Sequence, residues 1–248
     1  MHGSPGATAF GAIAAIPFLI GLPVSAQAAP PVGDSTQTLV LFGQLVPYRL
    51  YVPDIPAPAS GFPLLIALHG GGDDHHKYFT GYDNGEMKRV AQHVGMVVAC
   101  PRTAPYGGYR GAAETEVKAV LEDVLSKLPI DRGRVYLFGH SMGGVGALEL
   151  LAAHPERFAA AASFAGPVPP TLAGAFRNKP VYLAHGDRDE IVPVEHSRRL
   201  AAAIERAGGR VRYHEIAGAD HNSRVAAEFS AILSWLAAQG GDAGRVQP

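Results

Sequence analysis

The segment of this chain best suited to chemistry is Gly139-His140-Ser141-Met142-Gly143-Gly144, a serine with a glycine two residues to either side. A serine hydroxyl is a poor nucleophile at neutral pH, and a tight, strained turn from strand to helix is one way to present it clear of the backbone. Glycines at those two positions remove the Cβ atoms that would collide in such a turn. A helix starting at the serine would point its unpaired amides and positive dipole end at the spot where an attacked carbonyl oxygen becomes negative. Ser141 is therefore the candidate nucleophile, and the Met142 amide is a candidate oxyanion donor.

Such a hydroxyl needs a base, and the base needs an orienting carboxylate. The chain offers eleven histidines. His221, in Ala217-Gly218-Ala219-Asp220-His221-Asn222, stands in a loop after the last strand-like run. His93 and His154 fall in helical patterns, His214 falls inside a strand, His196 opens a helix and His140 is held in the serine turn itself. His221 is the general base on this reading. For the acid, His185-Gly186-Asp187-Arg188-Asp189-Glu190 presents three carboxylates. Asp187 follows the glycine at once and suits turn formation, whereas Asp189 sits farther along the loop, within reach of an imidazole. Asp189 is preferred, with Asp187 and Glu190 as alternatives. The glycines of His69-Gly70-Gly71-Gly72 allow close backbone approach to a substrate oxygen, so Gly71 is the second expected oxyanion donor, with Gly72 its rival. His69 is expected to brace this loop.

The elements that must position these groups are read from apolar patterning. Pro63–Leu68, Met96–Ala99, Val135–Phe138, Ala160–Phe164, Val181–Ala184 and Val211–Ile216 are continuous apolar or β-rich runs of the kind found in parallel strands. Between them, helical patterns cover Asp83–Val94, Glu114–Leu128, Met142–Ala153, Val194–Ala207 and Ser223–Ala238. Thr38–Val46 and Tyr48–Val52, around Pro47, read as a hairpin or two edge strands. Strands alternating with helices give an α/β fold: a mostly parallel central sheet with helices on both faces. Ligands of such sheets bind beyond the carboxyl ends of the strands, where the candidate residues fall.

Leu68-His69-Gly70-Gly71-Gly72-Asp73-Asp74, Gly139-His140-Ser141-Met142-Gly143-Gly144 and His185-Gly186-Asp187-Arg188-Asp189 resemble the α/β-hydrolase superfamily, and the chain order Ser141, Asp189, His221 is the order of its triad. The resemblance runs from Thr38 to about Ala238. Within the superfamily these motifs look like small secreted esterases grouped with phospholipase/carboxylesterases, feruloyl esterases and polyhydroxybutyrate-depolymerase-like proteins. It implies metal-free hydrolysis of a small-molecule or polymer-derived ester through an acyl-enzyme. The chain departs from the secreted feruloyl esterase and depolymerase members in lacking their disulfides, and from dienelactone hydrolases in its serine nucleophile. Only sixteen residues, Ala165 to Pro180, separate two strands where a large helical lid is commonly inserted, so no lid domain is expected.

Composition bounds the alternatives. At 248 residues, 47% hydrophobic and 17% charged, the chain is long enough for one globular domain with a sizeable core. A net charge of −1 gives no electrostatic reason for a nucleic-acid or anionic-membrane partner. One cysteine, Cys100, excludes an intrachain disulfide and a cysteine-based metal cage. Residues 1–28 read as a signal peptide: sixteen uncharged residues, Ala9–Val24, precede an Ala-x-Ala cleavage site. The run is too short for a membrane anchor, and the protein is expected to be secreted or periplasmic. Residues 29–37 read as a linker, 38–239 as the catalytic domain and 240–248 as a flexible tail.

Two features stay outside the triad. Asp73-Asp74-His75-His76 has ligand-type residues, but neighbours in one loop rarely converge on one ion, so neither a metal nor a cofactor is expected. Gly72, Tyr106 and Tyr109, in loops at the functional edge, are candidate substrate contacts. The rival functions are a prolyl-oligopeptidase-like serine peptidase and an idle binding protein on the same fold.

Overall fold

The computed structural model describes residue 1 and residues 29–103 and 107–240. The expected leader, Tyr106 and the tail beyond residue 240 lie outside the described residues. One eight-stranded sheet runs in the order β1-β2-β4-β3-β5-β6-β7-β8. Its strands are β1 (Gly33–Leu41), β2 (Gln44–Val52), β3 (Phe62–Leu68), β4 (Val97–Pro101), β5 (Ile130–His140), β6 (Ala160–Phe164), β7 (Val181–Gly186) and β8 (Val211–Ile216). β3 to β8 are mutually parallel where they pair, and β1 and β2 form an antiparallel hairpin at one edge.

The central strands are apolar on both sides because helices cover both faces. Leu64, Ile66 and Leu68 of β3 pack into one core with Val135 and Leu137 of β5. That core is closed by α3 (Ala112–Lys127), α4 (Met142–Ala153) and α5 (Glu195–Arg206). Leu65 and Ala67 point the other way, with Tyr136 and Phe138, toward α2 (Tyr82–Val94), α6 (Val225–Ala237) and the short α1 (Lys77–Thr80). Cys100 is buried in this second core. No helix among the described residues is long and apolar enough to cross a membrane.

Three expectations need correction. The residues read as a linker are in large part strand: β1 starts at Gly33, and its residues, polar through Thr38 and alternating between more and less buried, pair with β2 from Gly33↔Val52 to Leu41↔Gln44. The hairpin therefore turns at Phe42-Gly43, both at positive φ, instead of at Pro47. Pro47 is tolerated inside β2 because β4 covers only Tyr48 to Tyr51, leaving one side of Pro47 without a ladder to break. β8 alternates between half-buried and exposed residues because it is the far edge of the sheet, not a strand buried on both faces. Finally, Tyr82, Asp83, Asn84 and Gly85 all have positive φ, so a left-handed turn precedes the regular part of α2.

Between β6 and β7 the chain makes only a short 3-10 helix, Pro170–Phe176, and no lid domain. The carboxyl ends of β3, β5, β7 and β8 thus open together at one edge of the sheet.

Candidate active site

Ser141 occupies the sharp turn between β5 and α4, at φ 54° and ψ −119°. A non-glycine residue there costs on the order of 1–3 kcal/mol, which the surroundings must overcome. They do so with contacts that leave no room for side chains. A Cβ on Gly139 would strike the Gly143 carbonyl, one on Gly143 would strike the Leu68 carbonyl, and one on Gly166 would strike the Ser141 carbonyl. The Ser141 amide donates to the Phe164 carbonyl at 2.8 Å, tying the turn to β6. Tyr78 of α1 bridges β3 and β5: its hydroxyl donates to the Leu68 carbonyl at 2.9 Å and accepts the His140 amide at 3.1 Å.

His221 lies between the serine and an acid. Its Nε2 is 2.9 Å from Ser141 Oγ, and its Nδ1 is 2.7 Å from Asp189 Oδ2. Of the three carboxylates considered, Asp189 makes this contact. Asp187 instead accepts the Gly218 amide at 2.6 Å, so it joins the loop after β7 to the loop after β8. The Arg188 amide, donating to the Ala219 carbonyl, closes the same seam. This seam brings Asp189 and His221 together across 32 residues of sequence. Asp220 shapes the His221 loop by accepting the amides of Asn222 and Ser223.

The Asp189 carboxylate is buried but fully partnered. Oδ1 accepts the Ile191 and Val192 amides at 2.9 and 2.8 Å, and Oδ2 accepts from His221 and from His185. Burial alone would raise its pKa, but the hydrogen bonds from Val192, His221 and Ile191 outweigh burial and hold it below the usual aspartate value. The acid is therefore an anion at neutral pH, able to orient a ring that gains charge.

A second histidine holds the His221 backbone from behind. His140 Nε2 is 2.8 Å from the His221 carbonyl, and its Nδ1 is 2.7 Å from the Tyr82 hydroxyl. Burial pushes the His140 imidazole down to about 4, so the ring is neutral: Nε2–H donates to the carbonyl and Nδ1 accepts from Tyr82. Sequence reasoning placed His140 in the turn but missed this clamp. No pattern in the chain signals that the left-handed turn aims Tyr82 there. His185, on the Asp189 carboxylate, was missed as well, although its place four residues before Asp189, near the end of a buried strand, is a readable signal.

The oxyanion candidates lie beside Ser141. Leu68 and His69, immediately before the glycines, touch the first turn of α4 at Gly143. Among the described residues, neither the Met142 nor the Gly71 amide is taken up by a protein acceptor. His69 is fully buried, with Nδ1 2.9 Å from the Gly70 carbonyl oxygen and Nε2 2.6 Å from that of Arg102. Gly72, at φ 81°, lies on a polar cleft of about 590 Å³ with Asp73, Asp74, Lys77 and Thr80. Tyr109 is not on the open face: it is buried, and its hydroxyl donates to the His69 carbonyl at 2.9 Å, so it backs the glycine loop instead of meeting a ligand at Ser141. It also borders an apolar cleft of about 410 Å³ with Leu150 and Leu172, and Ser141, Asp189 and His221 do not line that cleft.

The Asp74-His75-His76 donor atoms lie within 4.8 Å of one another. An ion there would sit beside a cation, because Arg49 Nη1 donates to His76 Nδ1 at 2.7 Å. Asp74 Oδ1 is meanwhile engaged by the His76 amide.

Comparison with known proteins bears on the family and the fold. Residues 111–239 match the family model described as phospholipase/carboxylesterase. The chain is 30% identical over 182 residues to a protein named putative esterase NocK from Nocardia uniformis subsp. tsuyamanensis, covering 66% of this chain and 52% of that one. It is also 30% identical over 152 residues to the bifunctional acetylxylan esterase/xylanase XynS20E of Neocallimastix patriciarum, covering 58% and 21%. The chain thus spans about half, or less, of these curated relatives. A solved thermostable esterase superposes with a TM-score of 0.72 at 26% identity, over 84% of this chain and 63% of that one. An S-formylglutathione hydrolase from Agrobacterium tumefaciens shares the fold, with a TM-score of 0.67 at 19% identity over 87% and 99%. With a matched model over half its length, the chain belongs to the phospholipase/carboxylesterase family, and its sheet and helices have the α/β-hydrolase fold.

Proposed function

We propose that this protein is a serine carboxylic-ester hydrolase acting through an acyl-enzyme. The observation that carries the reading is His221, bridging Ser141 Oγ at 2.9 Å and Asp189 Oδ2 at 2.7 Å. In this scheme His221 Nε2 takes the Ser141 proton as Oγ attacks the ester carbonyl. The Met142 and Gly71 amides receive the oxyanion, and Asp189 stabilises the imidazolium. His221 then returns the proton to the departing alcohol, and the acyl group stays on Ser141. Water, deprotonated by His221, repeats the attack and frees the acid. These groups suffice without a metal or cofactor.

The short link between β6 and β7 leaves the site uncapped, which favours access by bulky esters and polymer ends over interfacial lipase action. The esterase names of the relatives support an ester substrate. The reading includes export to the periplasm or medium through residues 1–28, which amino-terminal sequencing of the mature protein would check.

The deciding assay compares the protein with Ser141→Ala on p-nitrophenyl acyl esters and on an aminoacyl-proline amide. Ester turnover lost in Ser141→Ala is the expected result. Cleavage of the amide alone would replace the esterase reading with a peptidase, and no Ser141-dependent turnover of either would favour a binding protein.

A further inference from the structure

His185 is the penultimate residue of β7 and takes no part in the scheme above, yet its ring is fully buried against the Asp189 carboxylate. Its Nε2 is 3.1 Å from Asp189 Oδ2 and 2.8 Å from the Val192 carbonyl oxygen, and its Nδ1 is 2.7 Å from Ser197 Oγ. Two oxygen acceptors face Nε2, so that nitrogen carries a proton, and Nδ1 accepts the Ser197 hydroxyl. One tautomer satisfies every contact. The oxygen it reaches is the one that also accepts from His221 Nδ1, so two imidazoles share Asp189 Oδ2.

We infer that His185, locked by Ser197, is a positioning residue that fixes Asp189 Oδ2 and sets how strongly that oxygen orients and polarises His221. The inference rests on the esterase reading above. A carboxylate oxygen shared between two donors gives each a weaker hydrogen bond than it would give one alone. With His185 in place, Oδ2 is held by a group that does not move during turnover, while Oδ1 is held by the Ile191 and Val192 amides. Without it, Oδ2 would be held only by the ring it must orient. Its charge would then fall wholly on the His221 hydrogen bond, making the imidazolium easier to form and harder to discharge. The groups facing His185 are few. Asp189 and Val192 come from its own loop and Ser197 from α5. Glu215, opposite it across the β7–β8 pairing, is itself bound by Arg198 and Tyr213.

The test is kcat/KM against pH for wild type, His185→Leu, His185→Gln and Ser197→Ala, with proton NMR of the downfield resonance from the His221–Asp189 hydrogen bond. Glutamine retains an N–H that can reach Oδ2; leucine retains none. His185→Leu is expected to lower kcat by about tenfold or more with KM nearly unchanged. It should also raise the acidic limb of the profile by roughly half a pH unit or more and displace the resonance. His185→Gln should restore most of each change, and Ser197→Ala should move them the same way by less. A folded His185→Leu with wild-type limb and resonance, or leucine and glutamine variants that behave alike, would overturn the inference. If His185→Leu does not fold, Ser197→Ala decides: an unmoved limb and resonance would overturn it. If the wild type turns over no ester, the esterase reading fails, while the resonance still reports whether His185 acts on the His221–Asp189 pair.

Discussion

Gly143 packs the start of α4 against the end of β3, between the two proposed oxyanion donors, and replacing it with alanine tests whether that packing sets the site. The residue is in the first turn of α4, where alanine would ordinarily gain about 1 kcal/mol over glycine. Here its Cβ would land on the Leu68 carbonyl oxygen, 2.6 Å from that carbonyl's carbon and 2.7 Å from the His69 carbonyl oxygen. All three atoms are backbone and cannot rotate away. Ordinary contact begins near 3.4 Å, and the Leu68 oxygen is the nearest of the three atoms, so α4 and the end of β3 must part by more than about 1 Å. Overpacking of this kind costs about 1–3 kcal/mol, so the helix gain is cancelled or exceeded and the net effect on stability is modest. The effect on catalysis is larger, because the parting separates the Met142 amide from the Gly71 loop. A misplacement near 1 Å in a reacting site is worth roughly 10²-fold in rate. Gly143→Ala should therefore lower kcat on a p-nitrophenyl ester by about a hundredfold while Tm falls by only a few degrees. Gly174→Ala, where a Cβ would meet nothing within 4 Å, is the control and should change neither. A Gly143→Ala enzyme with kcat within twofold of wild type would refute the claim that this contact sets the site.

Asp189→Asn should cut kcat by about 10³–10⁴-fold through loss of the oriented imidazole, whereas Asp187→Asn, which keeps an oxygen for the Gly218 amide, should stay near wild type; equal losses would show the wrong acid has been chosen. Acid stability should depend on His75 and His140, which burial pushes down to about 4. Both bind a proton more readily unfolded, so stability is full above about 6.5 and falls as pH drops toward 4, with a slope of at most about 1.4 kcal/mol per pH unit for each ring. His75 Nδ1 is buried without a partner, so His75→Leu should flatten the decline of Tm between those values; parallel curves would contradict this. Cys100 is buried, and burial raises its thiol well above the usual range, so a thiol reagent should titrate none of it in native protein and one per chain in denaturant.

What the sequence disclosed follows from how local each signal is. The serine turn was legible because its glycines, nucleophile and helix start lie within six residues. The central strands were legible because burial on both faces leaves a continuous apolar run, as in Leu64–Leu68. β1 was read late because Asp34 to Thr38 are polar on both faces and its pairing with β2 is set by the Phe42-Gly43 turn. Asp189 could be preferred by position in its loop, but its four donors come from three segments that only the fold assembles. The Tyr82–His140–His221 clamp spans the chain from α2 to the loop before α6 and depends on a left-handed turn that no residue pattern announces. Tyr109 was misplaced for a related reason: an aromatic in a glycine-rich loop looks exposed until the Gly146 face of α4 receives its ring.

The central claim is that Ser141 carries the acyl group. Rapid quenching of a p-nitrophenyl ester reaction, followed by peptide mass spectrometry, tests it most directly. A burst of about one nitrophenol per chain and a single acyl adduct on the peptide containing Ser141 are expected, both absent in Ser141→Ala. An adduct on another residue, or steady turnover by Ser141→Ala, would contradict it.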